Sequence, residues 1–185
     1  MRRVLLITIL VAAILGLMAT PALAASPHFK KGGTPVCTIA GGGTNSTSTT
    51  CTATLAGLSG ANLVINVTVS GFAVYTCTNG GGKDAAGQNR VLTGPVTTPT
   101  NIGSAAIKNG NVTFTTNAAV LTAAPTVSGA AAGCPNPNWT GTKPQLTITS
   151  IQLQIGYGPA TPQTFFYDET VANPSGLSSP VNFPA

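Results

Sequence analysis

Four cysteines constrain the fold of this chain more than any other feature of its sequence. They are Cys37, Cys51, Cys77 and Cys134. Four cysteines allow three pairings, and the sequence alone does not choose among them. Cys37 and Cys51 are symmetric about Thr44 in a polar connector, so a simple hairpin would place them opposite each other. Cys77 closes a predicted strand and Cys134 opens a loop, and we therefore favour the pairs Cys37–Cys51 and Cys77–Cys134.

The first 24 residues have the pattern of a secretory signal peptide. Arg2 and Arg3 precede an apolar run from Val4 to Met18, and Ala22-Leu23-Ala24 offers small residues at a cleavage site. The run is shorter than the roughly 20 residues that a membrane-spanning helix needs. We expect residues 1–24 to be removed and the protein to act outside the cell or at its surface, with no permanent membrane span. An uncleaved anchor is the alternative.

The rest of the chain carries few charges, and this limits its chemistry. Six Lys and Arg against three Asp and Glu give a net charge of +3 after residue 24. These cations do not cluster as nucleic-acid binding requires, so we expect no nucleic-acid partner. The acids are Asp84, Asp168 and Glu169, and adjacent residues on a strand point to opposite faces. With His28 as the only histidine, we expect no catalytic residues, no metal site, no cofactor and no enzymatic activity.

The predicted fold is all-β, an antiparallel β-sandwich (immunoglobulin-like or similar) of about eight or nine strands, with a barrel as second choice. Apolar residues alternate with more polar ones between Asn62 and Ser70, which is typical of a strand with one buried face. A bend or bulge is expected at Gly71 and a bulge near Thr149-Ser150. No segment after the signal has helical periodicity. We place a flexible lead-in at 25–34, the sandwich at 35–170 and a Pro/Ser-rich tail at 171–185.

The sequence Asn109-Gly110 gives the strongest hairpin signal. Both residue types tolerate the positive φ angles of a type I′ turn, whose twist suits the strands on either side. We therefore predict strands at 105–108 and 111–115, joined by this turn.

Trp139 is the sharpest binding candidate, because the flat apolar face of an exposed indole can stack on a sugar ring. Tyr75, Tyr157 and Tyr167 could extend such a platform. The alternative is that Trp139 packs over the Cys77–Cys134 bridge and closes one end of the sandwich.

Three segments resemble a family of small uncharacterised secreted proteins of actinobacteria and related bacteria. They are Tyr75-Thr76-Cys77-Thr78-Asn79-Gly80-Gly81, Gly87-Gln88-Asn89 and Gly133-Cys134-Pro135-Asn136-Pro137-Asn138-Trp139-Thr140. The resemblance covers roughly residues 62–155. It implies export and supports the Cys77–Cys134 pair, but it implies no activity.

Together these features predict an exported, non-enzymatic β-sandwich that binds cell-wall or other extracellular polysaccharide. Two alternatives are a self-associating structural protein of the cell surface and a secreted protease inhibitor that presents residues 134–140. Low charge and Thr-rich strands favour self-association, since exposed strand edges would then lack the charges that block pairing.

Overall fold

Two six-stranded antiparallel sheets pack face to face in a computed structural model that describes residues 26–41, 45–158, 164–174 and 180–185. The predicted signal peptide lies outside these residues. Sheet A contains β1 (His28–Phe29), β2 (Val36–Ala40), β3 (Ser46–Ala56), β7 (Val112–Thr115), β8 (Ala119–Thr122) and β12 (Val181–Asn182). Sheet B contains β4 (Leu63–Thr78), β5 (Asp84–Ala86), β6 (Val91–Ile102), β9 (Val127–Ser128), β10 (Thr140–Tyr157) and β11 (Phe165–Ala172). The all-β sandwich is confirmed.

The core forms where the inward side chains of the two sheets meet. Strand β4 alternates strictly between buried and half-buried residues along its whole length, as the sequence pattern predicts. Its buried residues pack with those of β3, β8 and β10 in one cluster, which includes Leu55, Ile65, Leu121 and Ile155. Strands β4 and β10 pair over almost their full lengths, and β6 and β11 pair with their outer edges.

The bulges predicted at Gly71 and near Thr149-Ser150 are confirmed. The register of β10 against β4 shifts between Ile148 and Ser150, and that of β4 against β6 shifts between Val69 and Gly71. A Cβ on Gly71 would lie 2.4 Å from the Thr147 carbonyl oxygen, so no other residue fits this close approach of two strands without a shift of the backbone.

The turn at Asn109-Gly110 is confirmed, but the strand predicted before it is wrong. Asn109 has φ 51° and Gly110 has φ 73°, and Lys108 and Asn111 exchange two backbone hydrogen bonds of 2.9 Å. Residues Ser104–Ala106 form a 3-10 turn instead of a strand, because the Ser104 N–H donates to the Asn62 side chain and the chain bends. Of the strand predicted at 105–108, the structure contains a single isolated β-bridge, between Lys108 and Asn111.

The sandwich extends beyond residues 35–170 at both ends. In the predicted lead-in, β1 pairs with β3, and the Lys30 N–H donates to the Thr54 carbonyl at 2.9 Å. In the predicted tail, β12 pairs with β2 and inserts Val181 and Phe183 between the sheets, where they are 1% and 4% exposed. Each segment therefore contributes one short strand to sheet A.

The expectation of a chain without helices is wrong at one short segment. Helix α1 (Gly129–Ala132) is a single turn, capped by the Ser128 side chain, which accepts from the Ala131 N–H, and by Gly133 in the left-handed conformation. Four residues are too few to show a hydrophobic pattern with a period of 3.6 residues. In the sequence, the capping residues Ser128 and Gly133 are therefore the only sign of this helix. Within the described ranges, no helix is long and apolar enough to cross a bilayer.

Candidate functional site: an aromatic cleft between the sheets

Both predicted disulfides are present. Cys37 and Cys51 lie opposite each other on β2 and β3, with their Cα atoms 4.0 Å apart. Cys51 directs its N–H and its carbonyl to Thr116 on the other side, so it forms a non-hydrogen-bonded pair with Cys37, the pair type with the closer Cα atoms. Cys77 and Cys134 join β4 to the loop after α1. Two disulfides are typical of extracellular proteins.

The loop that carries Trp139 is curled against α1. The Trp139 N–H donates to the Asn136 carbonyl at 3.0 Å, and the Asn138 N–H donates to the Asn136 side chain at 2.9 Å. The carbonyls of Asn136, Pro137 and Trp139 all approach Gly129 so closely that a Cβ there would clash. Trp139 is half-buried and packs against the core, and its loop is not the extended segment that a strand-type peptide binder presents.

Residues from all three segments of the family resemblance meet at this end of the molecule. The Gln88 and Asn89 N–H groups donate to the Gly133 and Ala132 carbonyls, and the Asn89 side chain donates to the Ala130 and Ala131 carbonyls. These bonds satisfy the free carbonyls at the end of α1, next to the Cys77–Cys134 bridge. The hydrogen bonds of these motif residues therefore hold the end of α1 in place.

The three predicted ligand-binding aromatics do not share a surface. Tyr75 is 2% exposed and its hydroxyl donates to the Ala124 carbonyl at 2.8 Å, so its ring cannot extend a platform. Trp139 precedes the first residue of β10 and Tyr157 is the last. Because β10 has 18 residues, Trp139 and Tyr157 lie at opposite ends of a long strand, and their rings cannot form one platform.

The aromatic side chains that do meet lie at the other end of the sandwich, in an open cleft between β1 of sheet A and β11 of sheet B. We call this the inter-sheet cleft. Its volume is about 310 Å³, at the lower end of the range for ligand sites. It is lined by Pro27, His28, Phe29, Leu55, Phe166, Tyr167 and Ala185. None of these side chains is that of Asp, Glu, Lys or Arg.

Two ring contacts hold the walls of the cleft in place. Phe29 meets Tyr167 edge to face, with ring centroids 4.8 Å apart and an interplanar angle of 89°. Behind the lining, Tyr157 packs on Phe166 with centroids 5.3 Å apart, and its hydroxyl accepts a bond of 3.4 Å from the Ser59 N–H. Tyr157 therefore supports a cleft residue and does not line the cleft itself.

The polar side chains that line the cleft are those of Tyr167 and His28. The Tyr167 hydroxyl donates to the Pro184 carbonyl at 3.0 Å. Burial, with a smaller effect from Glu169, raises the pKa of Tyr167 to about 12, so the phenol keeps its proton. The His28 Nδ1 lies 2.8 Å from the Ser26 carbonyl, which can only accept. Nδ1 is therefore the donor, and in the tautomer that carries its only ring proton there, Nε2 is an acceptor.

Sequence reasoning missed this cleft because its walls come from distant parts of the chain. Phe29 lies in the predicted lead-in and Phe166 in a short terminal strand, and Tyr167 is the one aromatic residue of the lining among the predicted binding candidates. A signal did exist, since Phe165-Phe166-Tyr167 is the densest aromatic run in the sequence. Without knowledge that β1 pairs with β3, nothing connects this run to Phe29.

The three carboxylates lie apart. Asp84 accepts from Lys143 Nζ and from the Thr78 hydroxyl, both at 2.8 Å, and these contacts lower its pKa. Asp168 accepts from the Gln152 and Gln154 side chains, far along β10 from Asp84. Asp168 and Glu169 pair with successive residues of β10, so they point to opposite faces.

Comparison of the chain with protein-family models, with curated proteins and with solved structures found no match. The resemblance to the secreted actinobacterial family stays a prediction.

Proposed function

We propose that this is an exported, non-enzymatic β-sandwich that binds a neutral extracellular polysaccharide, such as a cell-wall polymer, in the inter-sheet cleft. The site differs from the predicted platform at Trp139, whose ring is half-buried in a curled loop.

One observation carries the proposal. Phe29, Phe166 and Tyr167 come from both sheets and line one concave, surface-accessible site. Aromatic rings offer apolar area to the C–H groups of a sugar, and the His28 Nε2 offers an acceptor to its hydroxyls. The lining has no Asp, Glu, Lys or Arg side chain to pair with a charged group of a ligand, which favours a neutral sugar.

The size of the cleft limits what it can hold. A volume of about 310 Å³ suits one or two sugar rings and not a long stretch of polymer. The proposed ligand is therefore a chain end or a side branch of the polysaccharide.

The positions of the acids support a role without catalysis. Glycosidases of the usual kind place two carboxyl groups about 5 to 10 Å apart on either side of the scissile bond. Here Asp84 and Asp168 are separated by most of the length of β10, and neither lines the cleft.

The two alternatives have less support. Strand β11, at one edge of sheet B, carries Asp168 and Glu169, and β6, at the other, contains Pro95 and Pro99, which have no N–H to donate. Charges and prolines of this kind block edge-to-edge pairing. The curled loop around Trp139 does not resemble a segment that a protease would bind in extended form.

The proposal is tested by retention on insoluble neutral polysaccharides with Phe166→Ala. The substitution removes stacking and burial worth about 1.4 kcal/mol or more of binding free energy, and 1.4 kcal/mol corresponds to a tenfold change in affinity. We therefore expect retention to fall by about tenfold or more. His28→Ala, which removes an exposed side chain, is expected to weaken binding without affecting folding.

Phe72→Ala is the matched control. Phe72 is also half-buried, but it lies on the outer face of sheet B with the Arg90 guanidinium 4.6 Å from its ring centre. It should be retained like the unaltered protein. Equal retention of the folded Phe166→Ala protein, or loss only with Trp139→Ala, would contradict the proposed site.

A further inference from the structure

The turn between the 3-10 segment and β7 contains an Asn-Gly pair whose surroundings favour a reaction of its own backbone. Asn109 is exposed, and its side chain has no hydrogen-bond partner in the part of the chain that the structure describes. Gly110 carries no side chain to shield its peptide nitrogen. Within the described ranges the Gly110 N–H also has no hydrogen-bond partner, because the two bonds of the turn join Lys108 and Asn111.

A second contact acts on the same peptide group. The Asn111 side-chain Nδ2 donates to the Asn109 carbonyl oxygen at 2.7 Å. This carbonyl belongs to the peptide bond between Asn109 and Gly110. A hydrogen bond to its oxygen stabilises the negative charge that the oxygen gains when the Gly110 nitrogen loses its proton. Asn111 therefore makes that nitrogen easier to deprotonate.

We propose that Asn109 is a site of spontaneous deamidation in this protein and that Asn111 accelerates the reaction. The deprotonated Gly110 nitrogen attacks Asn109 Cγ, a new C–N bond forms, and the Cγ–Nδ2 bond breaks as ammonia takes up a proton and leaves. Water then opens the five-membered imide at either carbonyl. The product is aspartate or isoaspartate at position 109, and no redox partner is needed.

A second Asn-Gly pair in the same chain provides an internal contrast. The Asn79 side-chain Oδ1 accepts from the Gly81 and Lys83 N–H groups at 2.9 and 2.8 Å. These two bonds fix the orientation of the amide, and attack by the Gly80 nitrogen would first have to break them. Sequence alone makes Asn79 and Asn109 equivalent, whereas the folded structure favours the reaction at Asn109 over that at Asn79.

The reaction at Asn109 would alter the fold locally. Isoaspartate adds one methylene to the main chain, which a two-residue turn with positive φ at both positions cannot accommodate. The Gly110 carbonyl also accepts from the Leu58 N–H at 3.0 Å, so the change would loosen the contact with the chain after β3. In a protein outside the cell, the fraction of molecules with aspartate or isoaspartate at position 109 would increase with time after synthesis.

The test is incubation of the purified full-length protein at mildly alkaline pH, followed by peptide mass spectrometry that separates aspartate from isoaspartate. Breaking two hydrogen bonds costs about 2 kcal/mol, so Asn109 should react about thirtyfold faster than Asn79. Asn111→Ala should slow the reaction at Asn109 about fivefold, the rate equivalent of one hydrogen bond. Thr115→Ala, an exposed change on β7, is the matched control and should change nothing.

Measurement in denaturant separates the effect of structure from that of sequence. There the two Asn-Gly sites should react at similar rates, and Asn111→Ala should have no effect. Equal rates at Asn79 and Asn109 in the folded protein would overturn the proposal. A rate at Asn109 that stays the same or rises in the folded Asn111→Ala protein would overturn the role of Asn111.

Discussion

Tyr167 combines three roles in one side chain. Its ring forms a wall of the inter-sheet cleft, meets Phe29 edge to face, and carries the hydroxyl that binds the Pro184 carbonyl. A tyrosine in this position links β11 to β1 and to the last residues of the chain. The cleft and the docking of the C-terminal segment therefore depend on the same residue.

The raised pKa of Tyr167 makes stability depend on alkaline pH. The folded group titrates at about 12 and the unfolded group near 10, so the folded state binds more protons between these values. The contribution is fully present below pH 10 and is lost as the pH rises from about 10 to 12. We expect the free energy of unfolding to fall in this range. In Tyr167→Phe the fall should be smaller, and an identical pH profile would contradict this cause.

At the scale of elements, the sequence predicts local strand and turn patterns but not which distant strands pair. The type I′ turn at Asn109-Gly110 follows from the φ preferences of two adjacent residues, and the strand pattern of β4 follows from its alternation. Strands β1 and β12 are two residues long, and each exists only because a distant strand offers its edge. The sequence around them has no strand pattern, so it gives no sign of a strand in the lead-in or of β12 in the tail. The cleft was missed for the same reason.

The two disulfides are expected to differ in their contributions to stability. The Cys77–Cys134 bridge closes a loop with a sequence separation of 57 residues, and the Cys37–Cys51 bridge closes one of 14. In the chain-entropy model, removal costs about 4 kcal/mol for the longer loop and about 3 kcal/mol for the shorter.

Chemical denaturation of the double variants Cys77→Ala/Cys134→Ala and Cys37→Ala/Cys51→Ala measures this difference. The first pair should be the less stable. The reverse order would mean that strand pairing around Cys37 and Cys51, and not loop closure, dominates.

At the scale of the whole molecule, four strands of sheet A, β2, β3, β7 and β8, contain no charged side chain. Among the described residues, its outward side chains on β2, β3, β7 and β8 are Thr, Ser, Ala and Val: Val36, Thr38, Ala40, Ser46, Ser48, Thr50, Thr52, Thr54, Thr113, Thr115, Val120 and Thr122. A surface of this kind neither attracts nor repels charged polymers over a distance. It agrees with a neutral polysaccharide as the partner of the inter-sheet cleft.

The central claim is that the cleft, and not the end near Trp139, binds sugar. An NMR titration of the isotope-labelled protein with short neutral oligosaccharides tests it most directly. We predict saturable shifts at His28, Phe29, Phe166 and Tyr167, with the Trp139 indole N–H unchanged. Saturable shifts centred on Trp139 would contradict the claim. So would the absence of shifts with every neutral oligosaccharide derived from a polymer that retains the protein.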